Sequence, residues 1–298
     1  MGAKIFAQEI GSESDNICPT CGLELAIKGK KGGEEFREAG FQGGYPFTRA
    51  LEIVEAALIA IGVKDQKTVV KAWENLLSGN GLEQLHHDIQ SPEKYIASIR
   101  KYGEKYGLLE NASRLTAYME AKLTEISNAY PLIQNKPRAY YCMGKPLFSL
   151  NGERFENQLM ELAGGSSVNK EINLKGRPGQ KISVSCLNAL NPEVIFISAF
   201  LSSSSEDFYK DCYKAGVDVE ALRSKRVYTH LAPGWDFGSP RWILGLMHAA
   251  NILHPDIYQF DMTLESQQFY RSFYDSDFIL SSINRSFSKP NREWKWLG

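Results

Sequence analysis

The pattern of hydrophobic and polar positions changes near residue 130, and this change divides the chain into two differently built parts. Between residues 47 and 129, apolar residues recur every three or four positions, as on one face of an α-helix. After residue 130, short apolar runs alternate with helical stretches. Such alternation predicts a parallel sheet that is covered by helices on both faces. The chain is therefore expected to hold a mostly helical region followed by an α/β lobe.

The first part is predicted to be three helices. Residues 47–63 form the first, because Leu51, Val54 and Leu58 lie on one apolar stripe. Residues 65–77 form the second. The third begins at the Ser91-Pro92 pair, where the hydroxyl caps the helix and proline occupies its first position, and it continues to about residue 129. An interruption is expected at one of two glycines, Gly103 or Gly107.

The second part is predicted to begin with a strand and to end with two helices. The first of these follows the Ser239-Pro240 pair and stops at His254-Pro255, because the residue before a proline is forced out of the helical region. The strands are predicted at residues 138–143, 194–198 and 226–230, and further helices at 155–163, 184–190 and 208–215. Ligands bind at the carboxyl ends of parallel strands, so the expected site lies at residues 142–145, 199–205 and 231–236.

An ordered run of residues near the C-terminus resembles a known family. The run consists of Trp235, Gly238, Ser239, Pro240, Arg241, Leu253, His254, Pro255, Phe269, Tyr270 and Phe273. It is similar to the C-terminal lobe of the substrate-binding proteins of ABC importers. The matching type has a rigid helix between two lobes and carries iron-siderophore complexes, haem or cobalamin.

The resemblance covers about residues 90–276 and implies four segments. Residues 1–90 are an atypical, mostly helical N-terminal lobe, because they lack the strand pattern of the family's first lobe. Residues 91–130 are the connecting backbone helix. Residues 131–276 are a Rossmann-like C-terminal lobe with a parallel sheet, and residues 277–298 are a C-terminal extension. The expected fold class is therefore α/β.

Two residues of the run are the main candidates for ligand contact. Trp235 offers a rigid aromatic face to a flat or hydrophobic metal complex, and the family places an aromatic residue in this loop; alternatively, it packs over the helix start. Arg241 can donate a forked pair of hydrogen bonds to an anionic ligand. The alternative for Arg241 is an ion pair with Asp236.

Three further candidates lie at predicted strand ends. Tyr141 and Met143 flank the end of the first strand and either meet the ligand or pack in the core. His230 ends a later strand and either contacts a ligand or metal or is a hydrogen-bonded structural histidine. The resemblance implies that Glu206 contacts arginines of the permease. Its alternative is a helix N-terminal acid that the helix dipole stabilises.

The Cys18–Cys21 pair has the spacing of half a tetrahedral zinc or iron–sulfur site. No second such pair exists in the sequence, so a redox-active dithiol and a small disulfide loop remain alternatives. The run His86-His87-Asp88 is either a metal cluster or a solvated loop.

Composition excludes several classes of function. The chain has 298 residues and a net charge of −1, which argues against nucleic acid and anionic membrane surfaces as partners. No apolar run approaches the roughly 20 residues that span a bilayer. The N-terminus shows no leader pattern, so either the chain is cytoplasmic or a leader has been removed and it is periplasmic. Nucleophile-elbow, P-loop and dinucleotide motifs are missing from the sequence, so no enzyme is expected.

The leading hypothesis is the solute-binding component of an ABC importer, with a metal chelate and a permease as its partners. The alternative is a cytoplasmic metal- or iron–sulfur-handling protein that uses Cys18 and Cys21 as ligands. A third possibility is a family member whose first helix, at residues 47–63, forms a homodimer through its wide apolar face.

Overall fold

Two compact units make up the described chain, which comprises residues 47–76, 80–172, 179–198, 205–232 and 234–277 of a computed structural model. Among these residues, the first unit holds those up to Met119 together with Gly238–Pro240. The second unit holds Glu120–Phe237 and the residues from Arg241 onward. The four-segment division expected from the sequence stays a prediction.

The first unit is helical, as its hydrophobic pattern predicts. The predicted first helix is confirmed, although it ends at Ala60 and not at Val63, and its residues Val54, Ala57 and Leu58 are buried. The third helix begins at the predicted cap, since the Ser91 hydroxyl accepts a hydrogen bond from the Lys94 amide at 3.3 Å. A short helix at residues 81–88 was not predicted. The helices are α1 (Phe47–Ala60), α2 (Gln66–Leu76), α3 (Gly81–Asp88), α4 (Pro92–Lys105) and α5 (Leu109–Asn128), the last of which continues into the second unit.

The long backbone helix is interrupted at Gly107, as expected. The backbone of Gly107 has φ 69°, a conformation that glycine adopts without strain, and α4 ends just before it. The Leu108 amide then bonds to the Gly103 carbonyl at 2.7 Å, and α5 starts at Leu109. The 20 residues of α5 make it the longest helix among the described residues.

The second unit contains a mixed sheet. Strands β1 (Arg138–Cys142), β3 (Ser166–Ser167), β5 (Val194–Ile197) and β6 (Val227–Thr229) pair in parallel. Strand β2 (Phe148–Leu150) pairs antiparallel with both β1 and β4 (Gly179–Lys181). The order is β4-β2-β1-β5-β6, and β3 pairs with β1. The α/β class and the parallel strands are confirmed. The antiparallel hairpin strands were not predicted, because three residues are too few to show a period.

Helices cover both faces of this sheet. On one face, Leu187, Phe208 and Ala221 pack against Tyr140 and neighbouring strand residues in a common core. Helices α6 and α10 pack together on the other face, where α10 is buried along almost its whole length. The helices are α6 (Phe155–Leu162), α7 (Val184–Leu190), α8 (Ser205–Ala215), α9 (Glu220–Arg223), α10 (Trp242–Leu253) and α11 (Met262–Tyr274).

The two ends of α10 differ in how well the sequence predicts them. The helix begins at Trp242 with Arg241 as its N-cap, so the predicted start at Ser239 and Pro240 is wrong. Its end at Leu253 is confirmed. There the His254 Nε2 lies 3.0 Å from the Gly164 carbonyl oxygen, which gives the His-Pro break a structural role.

The buried side chain of Asn169 fills a gap in the sheet, between the two strands, β2 and β3, that pair with the same edge of β1. Strand β3 pairs with Arg138 and Ala139, and β2 pairs with Cys142, so Tyr141 lies between the two pairings. The Asn169 side chain fills this position. Its oxygen accepts from the Tyr141 amide at 2.7 Å, and its nitrogen lies 2.8 Å from the Tyr141 and Leu150 carbonyls and 3.0 Å from the Ser149 hydroxyl.

Candidate functional site

The candidate site is a buried polar cluster at the carboxyl ends of three adjacent parallel strands. Tyr141 lies at the end of β1, Ser198 follows β5, and His230 follows β6. Asp236, on the loop after β6, joins the first two strands. Its Oδ2 accepts hydrogen bonds from the Tyr141 hydroxyl at 3.2 Å and the Ser198 hydroxyl at 2.9 Å. This is the edge of the sheet at which open α/β folds bind ligands.

The loop that carries Asp236 lies directly on α10. Trp235 is fully buried, and a Cβ atom added to Gly245 would lie 1.7 Å from the Trp235 carbonyl oxygen. Only a glycine at position 245 therefore allows the backbone of the loop to approach the helix this closely.

His230 is enclosed by aromatic rings. Its imidazole stacks on Tyr141 and Phe196 at centroid distances of 6.1 and 6.2 Å, and it meets His248 edge-on at 6.3 Å. Neither ring nitrogen has a hydrogen-bond partner among the described residues. Burial lowers the pKa of His230, while the nearby Asp236 opposes that shift. The buried imidazole therefore favours its neutral form.

A second buried acid, Glu156, lies near Asp236. Its carboxyl is 3.4 Å from the Arg154 guanidinium, which in turn stacks on the Phe237 ring at 4.9 Å. Burial raises the pKa of Glu156; Arg154 opposes this shift and the charge of Asp236 adds to it. The cluster therefore contains two acidic side chains, one of which holds its proton more tightly than an exposed glutamate.

Glu156→Gln is expected to increase the stability of the chain relative to the native sequence as the pH rises. A raised pKa in the folded state gives stability that is present at low pH and is lost as the pH rises through that pKa. Glutamine cannot ionise, so its advantage should grow from about pH 4 to about pH 8. The free energy of urea unfolding, measured across this range, checks the prediction. The matched control is the exposed Glu153→Gln, which should parallel the native sequence; a parallel curve for Glu156→Gln would contradict the prediction.

The ligand-contact residues predicted from the sequence are brought into one unit, but most are buried. Trp235 and Tyr141 have no exposed surface, and Arg241 and His230 are 3% and 5% exposed. Met143 is half-buried. The burial of Trp235 agrees with its alternative role of packing against the helix. Ligand contact by these residues stays a prediction.

Arg241 is held by the last helix. Its Nη1 donates to the Tyr270 hydroxyl at 3.1 Å, and its guanidinium lies over the ring of Tyr274 at 5.8 Å from the centroid. These contacts place the charge of Arg241 against α11 aromatics, which the sequence did not predict.

The sequence did not predict several residues of the site. Asp236 was named only as an ion-pair partner for Arg241, whereas Ser198, Glu156 and Gly245 were not singled out. The local indication for Ser198 is its position at the end of a predicted strand, and that for Asp236 is its position in the loop after the next one. Glu156 and Gly245 lie inside predicted helices, where a helical period gives them no special meaning.

Other predicted sites remain untested. Cys18, Cys21 and the side chain of His86 lie outside the described residues. Glu206 lies in the first turn of α8, and its contact with a permease stays a prediction. Among the described residues, no group of three histidine, cysteine or acidic side chains is placed to hold a metal ion. None of the described helices is long and apolar enough to cross a membrane.

Solved structures with a similar fold are solute-binding proteins. A periplasmic solute-binding protein from Veillonella parvula matches with a TM-score of 0.57 and 22% identity, over 64% of this chain and 59% of that one. CeuE from Helicobacter pylori with Ni(II) bound matches at 0.56 and 20%, over 70% and 69%. MolA from Haemophilus influenzae, bound to molybdate, matches at 0.55 and 18%, over 63% and 57%. No family model matches the chain, and no curated protein is significantly similar to it.

These matches define the fold. The chain has the fold of the periplasmic solute-binding proteins of ABC transporters, which confirms at this level the resemblance seen in the sequence. The matched region spans less than two thirds of the Veillonella parvula protein and of MolA.

Proposed function

We propose that the chain is the solute-binding component of an ABC importer and that its ligand is a metal complex of the iron-siderophore, haem or cobalamin type. The observation that supports this most directly is the cluster of Tyr141, Ser198, His230 and Asp236 at the carboxyl ends of β1, β5 and β6. Solved proteins of the same fold hold Ni(II) and molybdate. The chain would bind its solute without transforming it.

The chemistry of the cluster suits a ligand that is partly apolar. Aromatic rings offer large apolar surfaces whose burial against a ligand is favourable, and a few polar groups fix the orientation of the bound ligand. In this proposal Trp235 and Met143 supply apolar contact, while Tyr141, His230 and Arg241 meet polar edges of the ligand. Because the indole of Trp235 is fully buried, its contact with a ligand requires the side chains that cover the ring to move aside.

A permease is the proposed protein partner, and an extracytoplasmic location goes with it. The similar structures are described as periplasmic binding proteins or transporter solute-binding proteins, which supports both points. In the proposal, the acidic side chain of Glu206 pairs with an arginine of the permease.

The proposed function is tested by titrating the purified chain with candidate solutes. The probes are a ferric siderophore, haem, cobalamin, a Ni(II)–histidine complex and molybdate, and tryptophan fluorescence reports binding. We expect at least one of the first three to quench the fluorescence saturably, and Trp235→Phe to weaken that ligand. Trp73→Phe, a buried tryptophan on α2 in the other unit, is the matched control and should leave the affinity unchanged. Silence from all probes would contradict the proposal, and saturation by molybdate or nickel alone would contradict its ligand class.

A further inference from the structure

One carboxyl oxygen, on the loop that follows β6, is hydrogen-bonded to the ends of two neighbouring strands. Strands β1, β5 and β6 are adjacent in the sheet, and Asp236 lies on the loop that follows β6. Its Oδ2 accepts from Tyr141 on β1 and from Ser198 after β5. The two donors are 95 and 38 residues away from Asp236 in the chain.

Burial makes these two hydrogen bonds energetically important. Tyr141 and Asp236 are fully buried and Ser198 is 5% exposed, so water does not replace a lost bond. A buried carboxyl group is costly unless it is hydrogen-bonded. If position 236 had only to fill space, an apolar side chain there would stabilise the fold more than a carboxyl group.

The residue next to Asp236 is the one whose position matters for the proposed ligand. Trp235 precedes it, and the Trp235 carbonyl rests against Gly245 on α10. The loop is therefore fixed from two sides, by the backbone contact with the helix and by the carboxyl group that reaches the strand ends.

We infer that Asp236 is a positioning residue: through Tyr141 and Ser198 it holds the Trp235 loop at the strand ends and thereby sets the affinity for the ligand. The part that concerns affinity rests on the proposed function. The part that concerns the loop does not, because it follows from the contacts of Asp236 alone.

Removal of a single hydroxyl group tests the loop directly. The chain is labelled with 5-fluorotryptophan, and the ¹⁹F resonance of Trp235 is assigned by its loss in Trp235→Phe. Tyr141→Phe and Ser198→Ala each remove one donor and leave the carboxyl group in place. We expect each to shift or broaden the Trp235 resonance, and the double variant to do so more strongly.

Tyr140→Phe is the matched control for Tyr141→Phe. Tyr140 is the adjacent residue of β1, is equally buried, and donates its hydroxyl to the Pro146 carbonyl at 3.0 Å. Successive strand residues point to opposite faces of a sheet, so this hydroxyl lies on the face away from Asp236. The control should leave the Trp235 resonance unchanged. An equal shift in the control, or no shift in Tyr141→Phe and Ser198→Ala, would overturn the inference.

The ligand measurement separates this inference from the proposed function. For a solute that binds the native chain, Ser198→Ala should weaken binding about tenfold, while Tyr140→Phe should not. Ser198→Ala is the deciding variant, because Tyr141 is itself a proposed ligand contact and Tyr141→Phe would weaken binding by either route. If no solute binds the native chain, the proposed function fails and the fluorine spectra still decide the role of Asp236. If a solute binds and the Trp235 resonance moves without a change in affinity, the affinity part of the inference is wrong.

Discussion

Gly245→Ala is expected to destabilise the second unit by about 3 kcal/mol or more, although alanine is the better helix former. Gly245 lies inside α10, where the substitution would otherwise stabilise by about 1 kcal/mol. The new Cβ, however, would lie 1.7 Å from the Trp235 carbonyl oxygen and 2.6 Å from its carbonyl carbon. These are backbone atoms, so the loop at residues 234–238 must move as a whole. The midpoint of urea unfolding, followed by circular dichroism, measures the loss.

Gly216→Ala is the matched control for that prediction. Gly216 lies in the same unit and has a positive φ of 75°, but a Cβ there meets nothing within 4 Å. Its cost is therefore limited to the left-handed backbone conformation, about 1–2 kcal/mol. Two results would contradict the close contact between the loop and α10. One is a urea midpoint for Gly245→Ala equal to that of the native chain. The other is a loss of stability no larger than that of Gly216→Ala.

The elements that the sequence predicts well are those with local causes. Helix α7 has the predicted bounds because the Ser183 hydroxyl caps it through the Cys186 amide, and Asn191 ends it with φ 41°. Strand β5 is a continuous apolar run that is buried on both sides of the sheet. The start of α10 is different. The Ser239-Pro240 pair satisfies a local rule, but residues 234–240 form turns and the helix begins only at Trp242.

The residues of the candidate site likewise fall into those that local sequence predicts and those that it does not. Tyr141, His230 and Trp235 were found because strand ends and loops can be located from short stretches of sequence. The bonds of Asp236 were not, since its partners are distant in the chain and nothing near it specifies them. The close approach that Gly245 permits is also invisible in a helical pattern, where glycine merely lowers helix propensity. The resemblance predicts the fold, whereas the contacts that position the loop join residues far apart in the chain and have no local sequence pattern.

Asn169→Leu is expected to destabilise the second unit by about 4 kcal/mol, because it leaves buried backbone groups without partners. The Asn169 side chain hydrogen-bonds the backbone N–H and carbonyl of Tyr141 and the Leu150 carbonyl, all at 2.7–2.8 Å. At this point of β1, neither β2 nor β3 supplies a partner strand. Leucine has a similar size and fills the space, so packing loss contributes little and the missing hydrogen bonds dominate. Urea unfolding at constant pH measures the change.

Asn188→Leu provides the comparison that isolates burial. Asn188 also bonds two backbone groups, the Asp218 amide at 2.9 Å and the Gly216 carbonyl at 3.2 Å, but both bonds are exposed to solvent. Water can replace them, so this variant should lose less than about 1 kcal/mol. If the two variants lose the same free energy of unfolding, then the hydrogen bonds of Asn169 are worth no more than exposed ones. A loss several times larger at Asn169 would show that a single amide substitutes for a missing stretch of strand and keeps Tyr141, the donor to Asp236, at the ligand edge of the sheet.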